Sequence, residues 1–315
     1  MQLNERARAL AEWCVAHATE LGITSHRLRN GACVIDAGID VPGGFAAGQK
    51  MAAICMGGLG DISFTPLTLD GTSWPGVQVW TDHPAVACMA SQYAGWQIAP
   101  EGYFAMGSGP LRAHARVESE LFAKLGYAED ASHGVLVLET RSLPSDEVVD
   151  YIAAKARLQP SALTIMVAPT ASIAGGVQIV SRVLETGLHK MDALGFDVRN
   201  VMSAMGTAPL PPTARSDTRA IGRTNDCVLY GGQARYTIRG SDEELARLAE
   251  HLPASASSDY GTPFYEIFQR YDRDFYKIDP HLFSPAEVWL TSATSGRTFH
   301  AGLVDTSVLR ASLFE

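Results

Sequence analysis

The feature that most constrains the fold is a long stretch without a charged residue, which runs from Leu158 to Ser181. It has the length of a membrane span, but prolines, two adjacent glycines and several hydroxyl side chains interrupt it. Within it, Leu163 to Val167 is a short apolar run that predicts a buried strand, and Pro169 ends that strand because proline lacks a ladder N–H. Gly175 and Gly176 predict a loosened chain just before a helix. The stretch therefore predicts a strand, a turn and a helix rather than a membrane span.

Four polar residues follow at a spacing that predicts one shared helix face. They are Gln178, Arg182, Glu185 and His189, at i, i+4, i+7 and i+11. Arg182 and Glu185 are the first charges after the uncharged stretch, and a strand–turn–helix junction can deliver such groups to a cleft. The pair is therefore a candidate for catalysis. The alternative is an ordinary solvated pair, which stabilises a helix by about 0.2–0.5 kcal/mol.

The size, charge and cysteine content of the chain exclude several classes of protein. Its 315 residues are enough for two domains. The net charge of −9 argues against a nucleic-acid or anionic-membrane surface and suits a cationic ligand. The five cysteines are widely spaced and form no CxxC or Cys/His cluster, so we expect no metal site and a reducing compartment. The N-terminus predicts a charged amphipathic helix and not a signal peptide, which favours a cytoplasmic protein.

The pattern of predicted elements divides the chain into a middle and two ends. The middle alternates helices and strands and includes a predicted helix from Asp146 to Arg157, whereas both ends are richer in short strands and turns. This contrast predicts an α/β fold, α+β in the broad sense, with two domains of mixed α and β structure. The predicted boundaries place residues 85–200 in one domain and residues 1–84 with 201–315 in a discontinuous, strand-rich one.

Two glycine-rich turns carry side chains suited to a polar ligand. The sequence MGGLGD at residues 56–61 predicts a tight turn that ends in Asp61, and it lacks the third glycine of GxGxxG. The sequence AMGSGP at residues 105–110 places Ser108 beside two glycines and ahead of Arg112. Exposed backbone N–H groups and a guanidinium there are suited to an anionic or polar group. An ordinary structural turn explains each motif as well.

A third predicted turn, GRTND at residues 222–226, concentrates hydrogen-bonding side chains ahead of a predicted strand at Cys227–Tyr230. Arg223, Asn225 and Asp226 are its candidates for binding a ligand. The alternative is again structural, because Asn and Asp often bond their own backbone in turns.

Together these motifs resemble the methenyltetrahydromethanopterin cyclohydrolase family. The segments that carry the resemblance are MGGLGD, AMGSGP, APTASIAGGVQIVSRVLETGLHKMDALGFD at 168–197 and GTAPLPPTARSDTRAIGRTNDCVLYGG at 206–232. The resemblance implies a two-domain enzyme with a large interdomain pocket, usually a homotrimer. It also implies a hydrolase of one-carbon metabolism that interconverts 5,10-methenyltetrahydromethanopterin plus water with 5-formyltetrahydromethanopterin. A small-molecule pterin is then the substrate, and no redox cofactor or metal is needed.

The resemblance assigns catalysis to an R-x-x-E segment, which matches Arg182 and Glu185. The substrate has a methenyl carbon between two nitrogens, with one positive charge spread over them, and water must add to that carbon. We expect Glu185 to accept the proton of the attacking water and to return it to the departing nitrogen. Arg182 is expected to position the carboxylate and keep it ionised.

Further residues match family-like segments, and other functions remain open. The candidates to line the pocket are Asp61, Ser108, Arg112, Arg223, Asn225 and Asp226. Gln178 and His189 are candidates to support the pair from the same helix face, although a histidine near a helix C-terminus is also explained as a favourable cation. The alternative functions are a non-catalytic pterin or nucleotide carrier and an amide or acyl hydrolase built around Ser108.

Overall fold

The computed structural model describes residues 1–314, apart from the side chain of Tyr276, and contains two mixed sheets with helices packed against them. The strands are β1 Thr24–Arg27, β2 Cys33–Asp36, β3 Asp61–Leu69, β4 Thr72–Thr81, β5 Trp96–Ile98, β6 Ala105–Ser108, β7 Gly134–Glu139, β8 Leu163–Ala168, β9 Val201–Pro209, β10 Gln233–Ile238, β11 Glu287–Ser292 and β12 Thr298–Gly302. The α-helices are α1 Leu3–Ala16, α2 Ala18–Leu21, α3 Phe45–Cys55, α4 Leu111–Ala115, α5 Ser119–Leu125, α6 Asp146–Ala156, α7 Ile173–Val180, α8 Val183–Ala193, α9 Asp217–Leu229, α10 Asp242–His251, α11 Phe264–Arg270 and α12 Thr306–Phe314. A π-helix spans Ala85–Gln92, and short 3-10 helices lie at Pro160–Ala162, Val198–Asn200, Ala254–Ala256, Phe275–Lys277 and Pro280–Leu282.

The chain divides into two compact units, each formed by two stretches of sequence. The first comprises Met1–Gly60 with Val86–Gln178, and the second comprises Asp61–Ala85 with Ile179–Glu315. The predicted two-domain α/β fold is confirmed. One unit boundary lies beside the predicted boundary at residue 84. The other predicted boundary is at residue 200, whereas the first unit ends at Gln178. Residues 1–60 were assigned to the strand-rich ends, whereas they belong to the first unit.

The first unit is built on a six-stranded sheet in the order β1-β2-β8-β7-β6-β5. β8 lies between β2 and β7 and is parallel to both. Its alternate residues point to opposite faces: Met166 belongs to a core cluster with residues of α1 and α3, and Ile165 belongs to one with residues of α6. Burial on both faces explains the apolar run that predicted this strand. The pairing of β2 with β8 explains why the first 60 residues belong to this unit, since local composition does not reveal so distant a contact.

The uncharged stretch forms β8 and α7. The predicted strand and helix are confirmed, but Gly175 and Gly176 lie inside α7 rather than before it. A Cβ at Gly175 would lie 2.1 Å from the carbonyl oxygen of Pro169, so the close return of α7 onto the end of β8 leaves no room for a side chain. Within residues 1–314, no helix is both long and apolar enough to cross a membrane.

The second unit is built on a six-stranded sheet in the order β12-β11-β10-β9-β4-β3. Only β10 and β11 pair in parallel among its described strands. Helices α8 and α9 pack on β9, and α10 packs on β11 and β12. Along β10, Ala234 and Tyr236 are buried whereas Arg235 is exposed, so the helices cover the face on which Tyr236 lies. This face supports α8, the helix that begins beside Arg182.

Candidate active site

The predicted catalytic pair lies at the start of α8. Arg182 is the N-cap residue of this helix and Glu185 stands in its first turn. Arg182 is 7% exposed and Glu185 is 5% exposed. Their spacing of three residues places them close together at one helix end, where the positive end of the helix dipole favours the carboxylate of Glu185. Their burial contradicts the alternative of a solvated surface pair.

Close packing fixes the first turn of α8 on the sheet. Val183 and Leu184, the two residues between the pair, face two glycines of the second unit. A Cβ at Gly206 would lie 2.9 Å from Cδ2 of Leu184, and a Cβ at Gly232 would lie 3.1 Å from Cγ2 of Val183. Both glycines belong to the last motif of the family resemblance. A side chain at either position would push against the turn that carries Glu185, so the two glycines set its distance from the sheet.

The predicted four-residue stripe on one helix is wrong, because the chain turns between α7 and α8. The backbone N–H of Arg182 donates to the carbonyl of Ile179 at 3.0 Å, a spacing of three residues, and the ψ angle of Arg182 is 6°. This conformation departs from the α-helix. Gln178 therefore lies on α7 in the first unit, whereas Glu185 and the half-buried His189 lie on α8 in the second. The supporting roles of Gln178 and His189 stay predictions.

Lys190 is a buried charge on α8 that the sequence did not single out. It is 1% exposed, and its Nζ donates a 2.7 Å hydrogen bond to the carbonyl of Pro253. Burial lowers the pKa of Lys190 to about 8, and the nearby carboxylate of Asp279 acts in the opposite direction. This contact anchors the second half of α8, about one and a half turns beyond Glu185. Only the tertiary structure reveals it, since a lysine late in a helix usually serves the helix dipole.

The predicted turn at residues 222–226 is wrong, because these residues lie inside α9. Ser216 caps this helix, and its Oγ accepts from the backbone N–H of Arg219 at 3.4 Å. The side chain of Asn225 donates to the carbonyl of Ile221, four residues earlier, at 2.8 Å. The side chain of Asn225 thus bonds within the helix instead of closing a turn.

Arg223 and Asp226 join α9 to the helices beside it. The carboxylate of Asp226 is fully buried and accepts hydrogen bonds from the N–H of Phe264 at 2.8 Å and from Oγ of Ser312 at 2.5 Å. Nε of the half-buried Arg223 donates to the carbonyl of Ser312 at 3.2 Å. Burial raises the pKa of Asp226 to about 7 despite these two donors. These contacts explain both residues without a ligand, and their binding roles stay predictions.

The raised pKa of Asp226 predicts a pH dependence of stability. The folded protein holds this proton up to about pH 7, whereas the unfolded chain releases it near the ordinary value of 3.8. The stabilising contribution of the group is therefore fully present below 3.8 and is lost as the pH rises through about 7. We expect this loss to be on the order of 4 kcal/mol and to be missing from Asp226→Asn. Urea unfolding at several pH values measures it, and parallel curves for variant and wild type would contradict it.

Two further predicted binding residues lie in the first unit. Arg112 is fully buried; its Nε donates to Glu118 at 2.8 Å, and its Nη1 donates to the carbonyl of Ser91 at 3.1 Å. Oγ of Ser108, at the end of β6, lies 3.5 Å from Sγ of Cys55 and is also buried. The contacts of Arg112 explain its burial as part of the interior, and a binding role for either residue stays a prediction.

The predicted site residues are divided between the two compact units. Ser108, Arg112 and Gln178 belong to the first. The others belong to the second, including Asp61, which is exposed at the first position of β3. Within the described part of the chain, no group of three His, Cys, Asp or Glu side chains could hold a metal ion.

The chain is similar to known cyclohydrolases over nearly all of its length. A family model described as cyclohydrolase (MCH) matches residues 2–313. The methenyltetrahydromethanopterin cyclohydrolase of Methanococcoides burtonii is 41% identical, over 99% of this chain and 98% of the relative. The proteins of the same name from Methanosarcina barkeri and Methylobacillus flagellatus are 43% and 44% identical, over 96% and 98% of this chain and 95% and 94% of the relatives. The similarity therefore covers both compact units.

Proposed function

Because the chain belongs to the cyclohydrolase (MCH) family, we propose that it interconverts 5,10-methenyltetrahydromethanopterin, or a dephosphorylated variant, plus water with 5-formyltetrahydromethanopterin. The relatives described above carry the name of this activity. The pterin is the substrate and carries the one-carbon group, and we propose no additional cofactor. The net charge of −9 suits the positive charge of the methenyl substrate.

The observation that carries the assignment of catalytic residues is the buried first turn of α8. An ionised carboxylate at such a place can accept the proton of a water molecule, and little bulk water competes with it. In the proposed reaction the water oxygen forms a bond to the methenyl carbon while Glu185 takes one proton. One carbon–nitrogen bond then breaks, Glu185 returns the proton to the departing nitrogen, and the formyl group stays on the other nitrogen. The hydroxyl of the water adduct loses its proton to solvent as the C=O bond forms, so the cation and one water give the neutral formyl product and one released proton.

Arg182 occupies a position at which its residue type is unfavourable for the helix. N-cap positions favour Ser, Thr, Asp or Asn, whose oxygen accepts a backbone N–H, and the loss of such a cap costs about 1 kcal/mol. A guanidinium has no acceptor, and the side chain of Arg182 makes no cap hydrogen bond. We propose that the guanidinium instead holds the Glu185 carboxylate in its ionised form and orients it.

Catalysis requires more than attraction between the carboxylate and the substrate cation. That attraction is present in the bound substrate, and only interactions that grow stronger in the transition state accelerate the reaction. The positive charge disappears from the bridge as water adds, while positive character develops on the attacking water. We propose that Glu185 is directed at this water rather than at the pterin ring.

Binding and assembly complete the proposal. We propose that the predicted binding residues contribute to holding the pterin, and that the protein is a cytoplasmic homotrimer, as the family resemblance implies. These residues are Asp61, Ser108, Arg112, Arg223, Asn225 and Asp226. Light scattering measures the assembly state, and a mass other than that of three chains would contradict the trimer.

The activity is tested by adding the purified protein to the methenyl compound and following the loss of its absorbance. We expect hydration to be much faster than in buffer alone and to leave the 5-formyl product. Binding without acceleration would support a carrier instead. Inactivation by a serine-directed covalent reagent would support the hydrolase built around Ser108.

A further inference from the structure

The hydroxyl of Tyr236 reaches the helix turn that carries Glu185. Tyr236 lies on β10 and is 1% exposed. Its Oη donates a 3.0 Å hydrogen bond to the carbonyl oxygen of Leu184, the residue directly before Glu185. In an α-helix this carbonyl already accepts the N–H four residues further on. The tyrosine therefore adds a second bond to a satisfied acceptor, and its effect is to fix the position of this turn rather than to complete the helix.

Gly187 gives the hydroxyl its access to that carbonyl. A Cβ at Gly187 would lie 2.1 Å from Oη of Tyr236, 3.0 Å from its Cζ and 3.3 Å from Cδ of Pro285. Any side chain at this position would displace the tyrosine ring or lift the helix. Glycine inside a helix costs about 1 kcal/mol relative to alanine. At Gly187, where the Tyr236 ring packs against the helix, α8 therefore has a residue that lowers the stability of the helix.

We propose that Tyr236 is a positioning residue for catalysis, whose hydroxyl, admitted by Gly187, fixes the first turn of α8 and with it the direction of the Glu185 carboxylate. The inference rests on the proposed function of Glu185. This turn is held by the hydroxyl at the carbonyl of Leu184 and by the close approach of the Leu184 side chain to Gly206. Without the hydroxyl, packing alone sets the turn, and an error of 1 Å in a catalytic group can lower a rate about 10²-fold.

The test is Tyr236→Phe, compared with Tyr230→Phe as the matched control. Tyr230 is also fully buried in the second unit; its hydroxyl donates to the backbone carbonyl of Thr262 at 2.6 Å and accepts from the N–H of Gly261 at 3.1 Å. Both changes remove one buried hydroxyl and keep the ring. We expect the loss of melting temperature to be at least as large for Tyr230→Phe, but a kcat about tenfold lower only for Tyr236→Phe. KM should stay within about twofold in both variants, because neither ring is proposed to contact the substrate.

Equal kcat values for the two variants would overturn the inference. A hydroxyl with a purely structural role affects the melting temperature, whereas a positioning hydroxyl also lowers kcat and leaves KM unchanged. Glu185→Gln is measured beside them. If the wild type turns over the substrate and Glu185→Gln does not, an unchanged kcat of Tyr236→Phe removes only the positioning role. If the wild type does not hydrate the methenyl compound, the proposed function itself is wrong.

A double-mutant cycle with Gly187→Ala gives an independent readout. The added methyl group should displace the hydroxyl from the Leu184 carbonyl, so Gly187→Ala should lower kcat about as much as Tyr236→Phe. Because both changes remove the same contact, their combination should lower kcat by much less than the product of the single effects. Fully multiplicative effects on kcat would show that the two residues do not act through one hydrogen bond, and would overturn the proposal.

Discussion

Replacing Glu185 with glutamine is expected to lower kcat for hydration of the methenyl substrate about 10²- to 10⁴-fold, the usual contribution of a general base. The carboxamide has nearly the same shape as the carboxylate and can occupy the same buried place in the first turn of α8. It cannot take a proton from the attacking water at neutral pH. Substrate binding should persist, because the pterin contacts are proposed to come from other residues. Stopped-flow absorbance measures the chemical step, and a direct titration measures binding.

The matched control for this variant is Glu243→Gln. Glu243 is exposed on α10 of the same unit, and its replacement removes the same negative charge from the chain. Its kcat should stay within about twofold of the wild type, because exposed charges act weakly over distance in salt. Near-normal hydration by Glu185→Gln would refute the base assignment. An equal decrease in both variants would instead indicate that overall charge attracts the cationic substrate.

The elements that were predicted correctly are those in which the local sequence pattern matches the burial of the residues in the fold. β8 is apolar except at Thr164 because helices cover both faces of its sheet, so its pattern alone predicted it. α6 was predicted at nearly its observed bounds because Ser145 caps it, acidic residues occupy its first turn and apolar residues recur on one face. In both elements the local preference and the tertiary environment agree.

The start of α8 shows why part of the site could not be predicted in this way. No glycine or proline marks the turn at Ser181 and Arg182, so the sequence predicted one continuous helix. The first turn of α8, directly after Arg182, is instead fixed by residues distant in sequence. Gly206 leaves room for the side chain of Leu184 against the sheet, and the hydroxyl of Tyr236 bonds the carbonyl of Leu184. The place of Arg182 and Glu185 at one helix end does not depend on the helix before it, because a spacing of three residues lies within one turn.

The prediction of a turn at residues 222–226, inside α9, failed for the opposite reason, because the local sequence signal was strong and misleading. Asn225 and Asp226 are residue types that often close turns through their own backbone. In the structure Asn225 bonds a carbonyl four residues back, and Asp226 bonds Phe264 and Ser312. The partners of Asp226 lie far along the chain, so the sequence could not show that its carboxylate is used inside the unit.

Replacing Arg182 with lysine should lower kcat about 10- to 100-fold although the positive charge is kept. The guanidinium is a planar group with several fixed donors, whereas the ammonium of lysine is a compact charge on a flexible stem. In the buried position of Arg182 the shorter reach of lysine also leaves space where the guanidinium lay. The carboxylate of Glu185 would keep a cationic neighbour but lose its fixed orientation. Steady-state kinetics with the methenyl substrate measure the effect.

Arg247→Lys serves as the control, because Arg247 is exposed on α10 and the same substitution there should leave kcat within about twofold. The comparison separates two explanations of why an arginine stands at the N-cap of α8. If charge alone were needed to keep Glu185 ionised, lysine would suffice and Arg182→Lys would match the control. If the arginine also directs the carboxylate towards the water, lysine fails. The second outcome is expected, because a general base lowers the barrier only when it lies within hydrogen-bond reach of the proton it removes.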